Sequence, residues 1–272
     1  MRDMVERFFL DTAPVRRVVR FRKLLALWTL LYWAPRLPHA EELYARPFLR
    51  RLGPLARAAG DPLPPGWLVT GVIALLLLAA GGVIWSRRPR RFHLCVLGCL
   101  VFLHSLDVMM GRAYGAIGFI AWLLLFLAPY DQLQEADGTV RRGPVLGQRL
   151  LGLQWSSVYL FTALAKLLEG SRWTSGRSLW RHFHGRSYGD WLLTHWVDFP
   201  MWACQAGAWL IPAVEICVAL GIWFRRTRRS AMVLCVLLHL SMMLTLRVSA
   251  LFPALMLIHL VLFAPEDRQR LD

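Results

Sequence analysis

The sequence predicts an all-α protein: a polytopic helical membrane bundle of about eight transmembrane helices, with an interfacial helix and an outer-face capping segment. Three observations carry this. Hydrophobic residues make up 57% of the 272 positions, apolar runs free of charge recur along the chain, and the basic residues gather at the ends of those runs. The run LVTGVIALLLLAAGGVIW alone matches the roughly 20 residues needed to cross hydrocarbon.

The first span is expected at about residues 20–37, where the uninterrupted apolar core is short and Pro35 breaks it. A cleaved signal peptide is the rival reading, but Pro38-His39-Ala40 is a poor cleavage site and the basic leader is unusually long. Residues 41–60 place Leu43, Phe48, Leu52 and Leu55 near one helical face with Arg46, Arg50, Arg51 and Arg57 interleaved, the pattern of a helix lying on the membrane surface. DPLPPG ends that helix and leads into the second span, LVTGVIALLLLAAGGVIW. Further spans are expected at residues 92–110, 113–129, 148–169, 203–224, 230–246 and 249–264. Residues 170–200 are too polar to cross and too aromatic for a free linker, so they are expected to fold back over the outer mouth of the bundle as a short helix plus turns. Residues 1–272 thus read as one integral membrane domain, without an internal repeat, a Gly-rich phosphate loop or a low-complexity tract.

A net charge of +15 raises the question of nucleic acid. The arginines answer it, because they sit at span ends instead of forming one soluble face, and no nucleic-acid partner is expected. Alternate loops hold 20 basic residues on one side and 11 on the other, so both termini are expected in the cytoplasm of an inner (plasma) membrane protein. The run FRRTRR then orients the chain, and membrane lipids are its surroundings. Trp67, Trp85, Trp155, Trp173, Trp202 and Trp223 lie near span ends, where an indole sits half in lipid and half in water. The five cysteines contain no C-x-x-C and read as small packing residues. His182 and His184 are two apart and point in different directions on a helix, so no metal site is expected.

Ionisable groups at membrane depth are costly, and four stand out: Asp107, Lys166, Glu215 and His239. Only two of the 32 basic residues are lysine, and Lys166 lies inside the apolar stretch WSSVYLFTALAKLLEG. At about 1.5 Å of rise per residue, Lys166 stands near the outer interface and Asp107 in the outer third, which makes an Asp107–Lys166 ion pair geometrically possible. Snorkelling to the interface is the alternative for Lys166, and a simple helix-end position is the alternative for Asp107. Glu215 has no exit to either surface and must be protonated, paired or facing water, and His239 lies on an adjacent antiparallel span. Both also have a purely structural reading as hydrogen-bonded groups within the bundle.

The ordered pattern resembles a known family. LGQRLLGLQWSSVYLFTALAKLLEGSRWTSGRSL, with Tyr159, Lys166, Leu167, Trp173 and Gly176, is similar to a segment of vitamin K-dependent gamma-glutamyl carboxylases and their bacterial relatives, the horizontally transferred transmembrane domain family. LIPAVEICVALGIWFRRTRRSA and LLHLSMMLTLRVSALFPALML, with Glu215, His239 and Phe252, resemble the family's acidic helix, basic loop and His-bearing helix, so the resemblance covers about residues 90–265. It implies a lysine base acting on a quinone or hydroquinone: Lys166 would be that base, His239 and Glu215 would polarise or orient, Asp107 would tune the lysine, and Tyr159 and Trp173 would face the cofactor. Low dielectric favours a neutral amine, the form a base requires. Ala165 stands where the carboxylases carry a second lysine, and MMGRA precedes Tyr114-Gly115 where they carry Asn-His. The similarity therefore points to bacterial members, including membrane proteins that mature a secreted sporulation-delaying toxin. The expected function is a membrane enzyme acting on an exported peptide, a quinone-like lipid or both. The alternative is a non-catalytic subunit or chaperone that presents a secreted peptide to a second maturation protein, and a small-molecule transporter is the third class.

Overall fold

Helices make up the secondary structure of the described residues, apart from one three-residue ladder in which β1 (Thr12–Pro14) pairs antiparallel with β2 (Arg142–Pro144). The structure is a computed structural model and describes residues 8, 11–14, 16–44, 64–86, 88–109, 115–128, 142–185, 193–194, 196–246 and 249–264. The chain divides into two units, residues 1–151 and 152–272, each with its own core.

In the first unit, α1 (Arg16–Trp33) runs into a 3-10 turn (Ala34–His39) and a single helical turn, α2 (Ala40–Tyr44). Pro35 and Pro38 explain the change of helix type, since neither has an N–H to continue the α-helical ladder. After Pro65, whose extended backbone starts the next helix, come α3 (Gly66–Trp85), α4 (Pro89–Met109) and α5 (Gly115–Phe126). Proline at the first position of α4 lacks only a donor that would have no intrahelical partner there. Helix α3 packs on α4 and α1, and α5 packs on α4 and α1. Phe21, Leu25, Ile73, Leu76, Leu103, Trp122 and Leu125 are fully buried between them. The indole of Trp122 donates to the Thr29 hydroxyl at 2.9 Å, and that hydroxyl donates to the Leu25 carbonyl at 2.9 Å. Gly118 lets Trp28 lie close, since a Cβ there would stand 2.6 Å from the Trp28 ring and force it to shift.

The second unit starts within α6 (Leu146–Leu168), at Gly152. It continues through α7 (Ser171–Thr174), α8 (Arg177–His184), α9 (Met201–Gly221), α10 (Arg228–Thr245) and α11 (Leu251–Ile258), which tightens into a 3-10 turn (His259–Phe263). Helices α9 and α10 pack against each other, α7 and α8 lie on α9, and α10 contacts α11. Trp155 is fully buried here and donates to the Met256 carbonyl at 2.8 Å. The expectation of an interfacial anchor at Trp155 is therefore corrected: its position along the helix suited an interface, but the face it occupies is turned to the core. Trp67, Trp85 and Trp202 remain largely exposed.

Among the described residues, four helices are long and apolar enough to cross a membrane: Gly66–Trp85, Pro89–Val108, Met201–Gly221 and Arg228–Thr245. They carry outward apolar side chains such as Leu78, Val101, Leu210 and Val233. The other expected spans give different elements. Helix α1 begins with five basic residues in eight, RRVVRFRK. Helix α6 is 23 residues long but carries Gln148, Arg149, Gln154 and Lys166. Helix α5 has 12 residues, and the last expected span is an 8-residue helix followed by the 3-10 turn. Most of the expected interfacial helix at 41–60 lies outside the described residues.

Candidate functional site

Helix α6 presents Tyr159, Thr162, Ala163 and Lys166 at spacings of three, four and seven, which bring them onto one face over two turns. That face meets the polar groups of α9 and α10. Lys166, in the last turn of α6, donates to both carboxylate oxygens of Glu215 on α9, at 2.6 and 2.8 Å. The Lys166 side chain is 21% exposed and that of Glu215 10%. The Thr162 hydroxyl, one turn earlier, also stands beside this carboxylate. An isolated ion in such a place loses several kcal/mol of hydration, so the pair persists because each partner replaces the other's water. Glu215 is thus paired, one of the three conditions its depth demanded.

Trp173 completes the surroundings of the lysine. Its ring centroid lies 5.5 Å from the ammonium nitrogen, within the range of a cation–π contact. Its indole N–H donates to the Ala208 carbonyl on α9 at 2.7 Å. The cap that carries it is anchored by Gly176, whose φ of +75° suits glycine and whose missing Cβ would lie 2.5 Å from the backbone nitrogen of Gln205. Leu179 of α8 rests on Gly207, and Phe183 packs against Phe199 at 4.7 Å. At the end of α8 the His184 Nε2 meets the Asp198 carboxylate at 2.7 Å, and the imidazole stacks on Trp180 at 4.4 Å. The Asp198 hydrogen bond, helped by one to the Trp180 carbonyl, holds the His184 pKa above its ordinary value. The described part of the expected cap therefore folds back onto α9, with Trp173 facing Lys166.

Two turns along the same face of α6, the Tyr159 hydroxyl lies 2.5 Å from His239 Nε2 and 3.2 Å from Cys235 Sγ, both on α10. Tyr159, Cys235 and His239 are all buried. The second ring nitrogen of His239, Nδ1, is also buried and has no hydrogen-bond partner among the described residues. Phe252, which the family resemblance singled out, presents its ring edge to His239 at 6.2 Å.

Asp107 belongs to the first unit and has partners there. Its carboxylate, fully buried, accepts from the Tyr44 hydroxyl at 2.9 Å and from Arg36 at 3.4 Å. Arg36 in turn donates to the Tyr32 hydroxyl at 2.7 Å and lies 3.9 Å over the Tyr32 ring. Depth allowed an Asp107–Lys166 pair, whereas the structure gives Lys166 to Glu215 and Asp107 to Arg36 and Tyr44. Depth along a helix fixes which groups share a level, while the facing direction of each helix decides which of them meet.

Thr162, Arg36 and Tyr44 went unremarked in the sequence, and Cys235 was read there only as a packing residue. Thr162 and Cys235 stand one turn from Lys166 and His239, so a search of helical neighbours would have found them. No such signal marks Arg36 or Tyr44, which reach Asp107 from 71 and 63 residues away. No group of three or more His, Cys, Asp or Glu side chains able to hold a metal occurs among the described residues. Chemically, α6 carries two acid–base couples in hydrogen-bond contact, Lys166 with Glu215 and Tyr159 with His239. No family model, curated protein or solved structure matches the chain.

Proposed function

We propose that the protein is a polytopic enzyme of a bacterial inner membrane, with eight spans and both termini cytoplasmic, in which Lys166 is a base acting on an exported peptide, a quinone-like lipid or both. The observation that carries this reading is the bidentate Lys166–Glu215 pair. An ammonium cannot accept a proton. Passing one Nζ proton to the Glu215 carboxylate leaves a neutral amine beside a neutral acid, and the amine then takes a proton from a substrate hydroxyl. The total charge of the pair is zero before and after the internal transfer. His239 and Tyr159 would polarise or orient the substrate. The resemblance to the horizontally transferred transmembrane domain family supports the same assignment, with a quinone or hydroquinone as cofactor.

The experiment compares Lys166→Arg with Lys166→Ala. Arginine keeps the charge but does not release a proton at ordinary pH. A base requires both variants to insert at normal levels and both to fail to mature the substrate or complement a deletion. Activity retained in the arginine variant alone would make the residue an electrostatic anchor. A second reading, a non-catalytic subunit or chaperone that hands a secreted peptide to another maturation protein, is favoured by the same contact, because a short bidentate pair also clamps α6 to α9. Material that co-purifies in mild detergent separates the two: a bound quinone favours the enzyme, and a stoichiometric polypeptide favours the subunit.

A further inference from the structure

Helix α9 continues through Pro212, which has no N–H to give the Ala208 carbonyl four residues earlier. A carbonyl left bare in an apolar bundle is costly, and helices that carry an internal proline need a donor from elsewhere. The indole of Trp173 is that donor, at 2.7 Å. Glu215 lies three residues beyond the proline on the same helix and meets Lys166, and the Trp173 ring flanks the ammonium at 5.5 Å. One side chain thus touches both the break in α9 and the cation that the helix serves.

We infer that Trp173 is a positioning residue: its N–H replaces the donor that Pro212 lacks, and so fixes the stretch of α9 that presents Glu215 to Lys166. This role engages the indole nitrogen and removes it from any ligand. It does not depend on Lys166 being a base. A purely structural lysine would be held in the same way.

The test uses the chain's scarcity of lysine. With only Lys23 and Lys166 in the sequence, a Lys23→Arg background leaves Lys166 as the sole lysine side chain. The full-length protein in mild detergent is treated with acetic anhydride over a pH series, and peptide mass spectrometry separates Lys166 from the N-terminal amine. Trp173→Phe keeps a ring and loses the N–H. It should raise the labelling rate of Lys166 about tenfold, the factor that corresponds to one hydrogen bond. Pro212→Ala restores the internal donor. Trp173→Phe combined with Pro212→Ala should then label within about twofold of Pro212→Ala alone and recover its pH profile, since the coupling of the two positions is what a double-mutant cycle reads. An unchanged rate in Trp173→Phe, or an increase that Pro212→Ala leaves untouched, would overturn the inference. If Trp173→Phe does not accumulate, recovery of folded protein by adding Pro212→Ala supports it, and absence of recovery overturns it. Failure here leaves the Lys166→Arg comparison standing, and failure there leaves this one standing.

Discussion

The two units each bury a carboxylate beside a cation, and they do so in opposite ways. In the first, Asp107 is sealed from solvent and held by a tyrosine hydroxyl and by Arg36, which is itself stacked on aromatic rings. Arginine keeps its proton at any ordinary pH, so this arrangement is a fixed tie between the turn after α1 and α4. In the second, Glu215 meets a lysine whose side chain remains 21% exposed. Lysine releases protons far more readily than arginine, and this chemistry, not openness, sets the pairs apart, since the Arg36 side chain is 22% exposed. The difference between the two cations separates a fastening from a candidate reaction centre.

The largest expected effect comes from breaking the second pair on one side. Glu215→Ala leaves an ammonium without its carboxylate and should cost about 3–5 kcal/mol, read as thermal or denaturant unfolding in detergent, whereas Lys166→Met with Glu215→Leu should recover most of that loss. A double variant as unstable as the single one would mean that the helices need the charges themselves. Next comes Asp107→Asn. Tyr44 and Arg36 donate to different oxygens of Asp107, and the amide keeps only one of these acceptors, so the loss should be about 1.5–3 kcal/mol and confined to stability, with Lys166 labelling unchanged. A change in Lys166 labelling would erase the contrast drawn between the two pairs.

Tyr159→Phe is expected to be milder, about 0.5–1.5 kcal/mol, because it removes one hydroxyl from Cys235 and His239 without opening the bundle. Infrared or nuclear magnetic resonance signals of the His239 ring should change with it. An unchanged ring would detach Tyr159 from the second acid–base couple. The smallest effect concerns the cap. The His184 pKa is raised in the folded protein by Asp198, so the contribution of the contact is complete below the ordinary histidine value and fades as pH climbs through the raised one. The His184 ring resonances should report this, and Asp198→Asn should bring the titration down toward the ordinary value, with the Trp180 carbonyl still in place. Persistence of the raised value in that variant would assign it to another group.

How much of this was legible in the sequence depends on what each residue had to reveal. The helical class and the long apolar helices followed from composition and run length, as in Gly66–Trp85. Lys166, Glu215 and His239 stood out because a charge or imidazole inside an apolar run has few excuses. Their partners did not, since pairing depends on the rotation of each helix about its own axis, which a run of leucine and valine leaves undetermined. Trp155 and Trp173 show the same limit: both stood near span ends, yet one is sealed in the core and the other gives its N–H to a carbonyl orphaned by Pro212. Helix α6 was expected as a span and has the length, but its glutamines and basic residues lower its apolar character.

The brevity of α5 reaches beyond the protein itself. Its 12 residues provide about 18 Å of apolar length, against a hydrocarbon core about 30 Å thick. If α5 crosses, as the eight-span proposal has it, a bilayer accommodates so short an element by thinning around it, at a cost of a fraction of a kcal/mol for each ångström of mismatch. On the eight-span proposal, acyl-chain length becomes a variable of the first unit's stability, with short-chain lipids relieving a strain that long-chain lipids impose.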